Sequence, residues 1–198
     1  MKGSRATGGK TDNYEREPND FYATPYESTR ALLDIFELNG SIYEPCAGGH
    51  IVKILEEYYP NNPIFASDLV DRTYRKVCNL DIKSGVDFLN TSYDRKFDNI
   101  VTNPPFKLAK ECIEKALSIT NDKVIMFLKI QFLESESRKE FLQNSPLKYV
   151  YVFSKRQSPM IDGVELNPNT GKKWQSAIMF AWYVWEKGYE GEPIIRWI

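Results

Sequence analysis

The chain predicts an α/β fold: a doubly wound, mostly parallel seven-stranded sheet with an antiparallel C-terminal edge. Three observations carry this. Short β-rich runs alternate with helix-period stretches along most of the 198 residues. One run, 123–128, is apolar almost throughout, as a strand covered on both faces must be. The last two runs, 149–153 and 177–185, have no helix-length pattern between them and so pair antiparallel.

Residues 1–19 are polar and rich in Gly, Lys, Asp and Glu, too poor in apolar surface to order alone, and are expected to form a flexible arm. The folded domain is expected over 20–198. Thr24-Pro25-Tyr26-Glu27 has the spacing of a capping box, with Pro25 at the first helical position. The helix it opens keeps a 3.6 period through Ala31, Leu32, Ile35, Phe36 and Leu38, and Asn39-Gly40 closes it. A strand at 41–45, a turn at 46–50 and a helical stripe (Ile51, Leu55, Tyr58) follow, then strands at 64–68, 86–89 and 97–102. Helices are expected at 108–120, after Asn103-Pro104-Pro105-Phe106, and at 137–142. Trp182 and Trp185 are expected on one face of the last strand, in core or edge packing.

Composition narrows the function. With 26 basic and 27 acidic side chains the formal net charge is −1, which excludes a protein that coats nucleic acid by bulk charge but not a local basic face. Cys46, Cys78 and Cys112 are widely spaced and His50 is the only histidine, so no zinc site and no metal is expected, and the cysteines read as reduced thiols. No stretch has the length of a membrane span and the start has no apolar signal region; a soluble, cytoplasmic protein with no membrane partner is the expectation.

Ligands of open α/β sheets bind beyond the carboxyl ends of the strands, and three strand ends here carry unusual residues. Glu44-Pro45-Cys46-Ala47-Gly48-Gly49 lets backbone approach a ligand closely, with an acidic tip that suits a cationic or hydroxyl-bearing group; an ordinary strand-to-helix turn is the plain alternative. GxxxxGK[ST] and GxGxxG are both absent, which excludes a P-loop and argues against a nicotinamide dehydrogenase. Asp68, about twenty residues on, can accept both hydrogen bonds of a ribose diol or can cap a helix. Asn103-Pro104-Pro105-Phe106 is the sharpest signal. Two prolines remove two backbone donors and leave carbonyls free to face a pocket. The Asn103 amide oxygen and the Pro104 carbonyl can accept the two hydrogens of an exocyclic amine, and Phe106 offers a stacking face.

EPCAGGH, ASDL, VDFL and NPPF, in that order, resemble the motifs of class I S-adenosylmethionine-dependent methyltransferases, whose fold is Rossmann-like, with NPPF marking the amino-methylating branch. The opening DFYATP and a tail with Arg138, Arg156 and MFAWYVW are similar to small phage-type DNA N6-adenine methyltransferases, over about residues 20–198. The resemblance implies S-adenosyl-L-methionine as cofactor and DNA as partner. It implies that Tyr22, Thr24 and Pro25 line the cofactor's methionine end, and that Glu44, Pro45, Ala47, Gly48 and Gly49 cradle its amino-acid and sulfonium region. Asp68 would bind the ribose with Leu69 beside the adenine, Asp87 and Phe88 would flank that adenine, and Asn103, Pro104, Pro105 and Phe106 would hold the target base. His50 departs from the family pattern, which often has glycine there.

The implied reaction is direct methyl transfer to the N6 amine of a base flipped out of the duplex. Residues 129–173 carry a net charge of +3, Lys155 among them, and residues 26–90 a net of −4, so a basic face for phosphate contacts is expected in the former; the resemblance implies Arg138 and Arg156 as the residues that make them. Residues 154–176 form a long Pro- and Gly-containing stretch, the one candidate recognition loop; no separate recognition domain is expected. The alternatives are an RNA or protein N-methyltransferase and a catalytically silent cofactor-binding subunit.

Overall fold

The computed structural model describes residues 22–71, 76–161 and 163–198; the expected arm, 1–19, lies outside them. The elements are β1 (Tyr22–Ala23), α1 (Tyr26–Leu33), β2 (Ile42–Glu44), α2 (His50–Tyr58), β3 (Ile64–Ala66), β4 (Phe97–Thr102), α3 (Ala109–Ile119), β5 (Thr120–Lys129), α4 (Glu136–Asn144), β6 (Leu147–Val152), β7 (Met160–Ile161), β8 (Phe180–Glu186) and β9 (Ile194–Trp197). Seven strands form one sheet in the order β3-β2-β4-β5-β8-β6-β9, and β1 pairs with β7 in a separate ribbon. In the large sheet only β8 runs against its neighbours. The α/β class and the mostly parallel sheet are therefore as the sequence predicts.

The strand census differs in two places. Residues 86–89 are a turn, because the Asp87 carboxylate accepts the Leu89 and Asn90 N–H groups and competes with strand pairing. The seventh strand is instead β9, parallel to β6 at the sheet edge. The antiparallel pairing of the two late runs is present, but β8 lies inside the sheet between β5 and β6. Its sequence requires this: all of Phe180–Trp185 is buried, so neither face can meet solvent.

Side chains alternate across the sheet. On one face Val124, Met126, Leu128, Tyr183 and Trp185 pack with Ile113 and Ala116 of α3. On the other, Ile125, Phe127, Trp182 and Val184 pack with Leu32 of α1 and with Ile51 and Leu55 of α2. Trp182 and Trp185 thus lie on opposite faces, not one, since three residues along a strand is an odd step.

Helix α1 also departs from expectation. It ends at Leu33, so Ile35 is 53% exposed, while Leu38 reaches the core from outside the helix. The capping box does not form. Pro25 is the N-cap, the Thr24 hydroxyl is buried without a hydrogen-bond partner among the described residues, and Glu27 pairs with Lys173 instead.

Candidate active site

The carboxyl ends of β2, β3 and β4 converge on a cleft of about 850 Å³, part of it open to solvent. Of the residues expected to bind cofactor, Tyr22, Thr24, Glu44, Pro45, Gly48, Asp68, Leu69, Asp87, Phe88 and Asn103 line it; Pro25, Ala47 and Gly49 stand behind the wall. Gly49 adopts φ +87°, and a Cβ there would lie 2.6 Å from Val77 Cγ2, so the turn needs glycine both for its backbone and for space.

Two acidic residues, Glu44 and Asp68, line the cleft. Glu44 is 2% exposed and its Oε2 accepts the Val52 N–H of α2 at 3.1 Å. Burial and the nearby Asp68 charge push its carboxyl well above the usual carboxylate range, against the opposing pull of that amide. Asp68 accepts the Val70 N–H at 2.7 Å, and its carbonyl accepts the Val86 N–H at 3.1 Å, which seats 86–89 on the cleft. Asp87 is pulled below its ordinary range by the Asn90 side chain and backbone N–H groups, so its carboxylate holds the turn while Phe88 is 5% exposed in the core. Cys46 and Cys112 also line the cleft; the Cys112 thiol beside it and burial hold the Cys46 thiol well up, hence protonated and unreactive.

The donor set fits S-adenosylmethionine on two observations. Glu44 and Asp68 both line the cleft, and the Glu44 carboxyl, raised by burial first and by the Asp68 charge second, would be relieved by a cationic ligand beside them. The Thr24 hydroxyl, buried at the cleft wall, has no partner among the described residues.

Asn103 stands at the end of β4. Its Nδ2 donates to the Tyr22 carbonyl at 2.8 Å. A carbonyl can only accept, so the amide's orientation follows from chemistry: Oδ1 is the atom left to accept from a ligand. Beyond Tyr22 lies a second cleft of about 990 Å³, lined by Tyr22, Phe106, Phe180, Trp174, Lys129 and the 158–161 and 175–178 segments. The Tyr22 and Phe106 rings lie nearly parallel, 19° apart with centroids 6.4 Å apart. Asn103 and Pro105 line the first cleft and Phe106 the second, so the Asn-Pro-Pro-Phe turn is the partition between them.

The expected recognition stretch, 154–176, forms the outer wall of the second cleft and is tied to the first. β7 pairs with β1 in antiparallel register, Tyr22 opposite Ile161. Ser28 Oγ donates to Gln157 Oε1 at 2.9 Å. His50, the first residue of α2 and 3% exposed, has Nδ1 3.1 Å from the Gly48 carbonyl and Nε2 3.3 Å from the Gly163 carbonyl. It therefore begins the helix and bridges the glycine turn to the loop. The expected phosphate-binding residues are placed differently from one another. Arg138 donates to the Phe132, Gln131 and Glu134 carbonyls and caps the 3-10 turn after β5, and Arg156 donates to the Ser176 carbonyl at the base of the loop. Lys155 is exposed. Lys129 and Trp174 are cleft residues the sequence reading did not single out; the one signal for Lys129 was a charge ending an otherwise apolar strand.

No helix of the described residues is long and apolar enough to cross a membrane. No family model matches the chain, and no curated protein matches it. Solved structures do. A predicted O-methyltransferase from Agrobacterium tumefaciens is 13% identical with TM-score 0.60, over 87% of this chain and 85% of that one. A candidate class I S-adenosylmethionine-dependent methyltransferase from Listeria monocytogenes is 12% identical with TM-score 0.59, over 89% of this chain and 65% of that one. A candidate hemolysin from Lactococcus lactis is 12% identical with TM-score 0.55, over 86% and 91%. At these identities the likeness concerns the fold: the chain has the Rossmann-like α/β architecture that these methyltransferases share.

Proposed function

We propose that this chain is an S-adenosylmethionine-dependent methyltransferase acting on the exocyclic N6 of adenine in DNA. The observation that carries the reading is the Asn103–Tyr22 hydrogen bond, which aims an amide oxygen from the partition between an acidic cleft and an aromatic one. When bound, S-adenosylmethionine supplies an electrophilic methyl group on a sulfonium. Glu44, Asp68, Thr24 and the Gly48 backbone would hold it in the first cleft.

The residues of the chain then have separable tasks. Asn103 Oδ1 accepts one amine hydrogen, which favours a tetrahedral nitrogen with a localised lone pair; Pro104 is buried and lines neither cleft, so its carbonyl would take the second hydrogen only if the turn shifts. Phe106 stacks on the base, and the partition aligns nitrogen with the first cleft, so the rate gain comes from orientation and fixed dipoles. An adenine reaches this pocket only when flipped from the duplex or presented in single-stranded DNA. Lys155 and Lys172, exposed near the second cleft's outer wall, are available to phosphates.

The test is transfer of labelled methyl from S-adenosylmethionine to unmethylated single- and double-stranded DNA, with bulk RNA alongside and nucleoside analysis of the product. N6-methyladenine in DNA, reduced about 100-fold or more in Asn103→Ala, supports the reading. Label confined to RNA moves the substrate to RNA. Cofactor binding with no transfer to any acceptor identifies a silent subunit.

A further inference from the structure

The two edges of the large sheet are finished differently. Beyond β3 the chain returns at residue 83: the Lys83 N–H donates to the Ala66 carbonyl at 3.0 Å, and the Asp68 N–H donates to the Lys83 carbonyl at 3.0 Å. Beyond β9 no strand follows among the described residues. The Ile198 N–H donates to the Val152 carbonyl at 3.0 Å and its own carbonyl accepts the Ser154 N–H at 2.7 Å, so residue 198 turns its backbone towards the β6 side. Alternate residues of a strand turn the same way. Ile194 and Arg196 therefore face β6, while Ile195 and Trp197 turn N–H and C=O outward. An open edge of this kind is a template for another strand.

The side chains on this edge are apolar and uncovered. Ile195 is 52% and Trp197 72% exposed, and they share the α3 face with Val150 and Val152, opposite which they pair. Arg196 lies on the other face, its guanidinium 5.0 Å from the Tyr149 ring centroid, and Glu192 and Pro193 stand exposed just before the strand. This short sequence is complementary to itself when run antiparallel. With a two-fold axis at Ile195, the two Ile195 backbones exchange N–H···O bonds, and each Trp197 N–H meets the partner's Pro193 carbonyl. Trp197 then covers the partner's Pro193 on the face where Ile195 meets the partner's Ile195. Arg196 stands opposite the partner's Ile194, with the partner's Glu192 diagonal to it and within reach of its long side chain. The neighbouring registers fail. An axis at Arg196 sets the two guanidinium groups directly opposite, one at Trp197 separates Arg196 from the partner's Glu192, and one at Pro193 has no N–H to exchange at its centre.

We propose that β9 is a dimerisation edge, on which a second copy of this chain adds its own β9 antiparallel about a two-fold axis at Ile195, so that one sheet runs through both copies. The pairings from β9 back to β4 give these two strands the same direction. The partner's strands run the opposite way, so the clefts of the two copies open at opposite ends of the dimer. Each copy keeps a complete site of its own, and dimerisation leaves the chemistry of each chain untouched.

The experiment is analytical ultracentrifugation of the full chain over about 1–300 μM, with hydrogen exchange alongside. Wild type is expected to be a reversible dimer with a Kd of roughly micromolar order, the weak end for a small interface. Ile195→Lys sets ammonium against ammonium on the axis and should be monomeric throughout. Glu192→Arg and Arg196→Glu should each weaken the dimer by about tenfold or more, because each substitution acts twice across the axis. An equimolar mixture of these two variants should recover the wild-type Kd, since each Arg then meets a Glu. All the variants should melt with wild type at concentrations where every chain is monomeric. A wild type that stays monomeric overturns the proposal. So does a dimer that survives Ile195→Lys, or a mixture no tighter than either variant alone. Monomers whose Ile195 and Trp197 amides are protected from exchange would assign the edge to a segment of the same chain, which also overturns it.

Discussion

Asn103 and Tyr22 are 81 positions apart in the chain and joined by one hydrogen bond, Nδ2 to carbonyl oxygen at 2.8 Å. That bond orients the Asn103 amide and holds β1, and with it the wall shared by both clefts. Asn103→Asp keeps an acceptor but removes the donor, leaving two oxygens facing each other. The expected outcome is a fall of about 100-fold in kcat/KM together with weaker cofactor binding, because Tyr22 and Thr24 lose their anchor. Steady-state kinetics and titration calorimetry check it; a variant with wild-type cofactor affinity would show that β1 is held without Asn103.

Glu44 supplies the pH dependence. Its folded carboxyl is raised by burial and by Asp68, above an ordinary value of 4.5. Its contribution to stability is thus complete below about pH 4.5 and is lost as pH rises through the folded value. Relative to Glu44→Gln, the ligand-free wild type should lose stability steadily from about pH 4.5 upward, and the variant should be the more stable of the two at neutral pH. The variant's amide oxygen still accepts the Val52 N–H. Cofactor affinity should move the opposite way, falling about tenfold or more at neutral pH. Melting curves across pH and binding titrations read both effects; parallel melting profiles would refute the assignment.

Much of this was legible beforehand, for physical reasons that can be named. The apolar run of β5 and the Pro-Pro step after Asn103 are local signals, and local signals predicted a buried strand and a rigid turn. The turn at Asp87 has the hydrophobic pattern of a strand, and the hydrogen bonds that compete with pairing come from a side chain that this pattern does not reveal. The capping box failed for a long-range reason: Glu27 is drawn to Lys173, 146 positions away. His50 and Lys129 gain their places only from the packing of loop 154–176 and the register of β5 on β8, which no spacing in the chain announces.

Gly49→Ala should be costly. The residue combines φ +87° with a Cβ position 2.6 Å from Val77 Cγ2, and valine's short branched side chain has no way to bend aside. A loss of about 2–3 kcal/mol is expected. Gly85→Ala is the control. It has φ +72° with nothing within 4 Å of the new Cβ, so only backbone strain applies and the loss should be about 1 kcal/mol. Denaturant melts of both variants make the comparison, and equal losses would mean that Val77 yields.

His50→Ala removes the imidazole between the Gly48 and Gly163 carbonyls. The fold should survive, but the 163–173 stretch should be cut several-fold faster by limited proteolysis, and cofactor should protect it less than in wild type. Mass spectrometry of the fragments reads the result. Unchanged cleavage would show that the β1–β7 ribbon alone holds the loop.

The interior position of β8 has a consequence for how the chain is made. β5 and β6 leave the ribosome first, yet they are not neighbours; each waits for Phe180–Glu186 to enter between them. Until that segment emerges, nascent β5 carries an open row of unpaired amides and carbonyls and the bare apolar faces of Val124–Leu128. The nascent domain therefore passes through a stage in which its most hydrophobic strand is finished and unclosed. That interval is when a chaperone has most to bind and when a stalled or shortened chain is most exposed to aggregation.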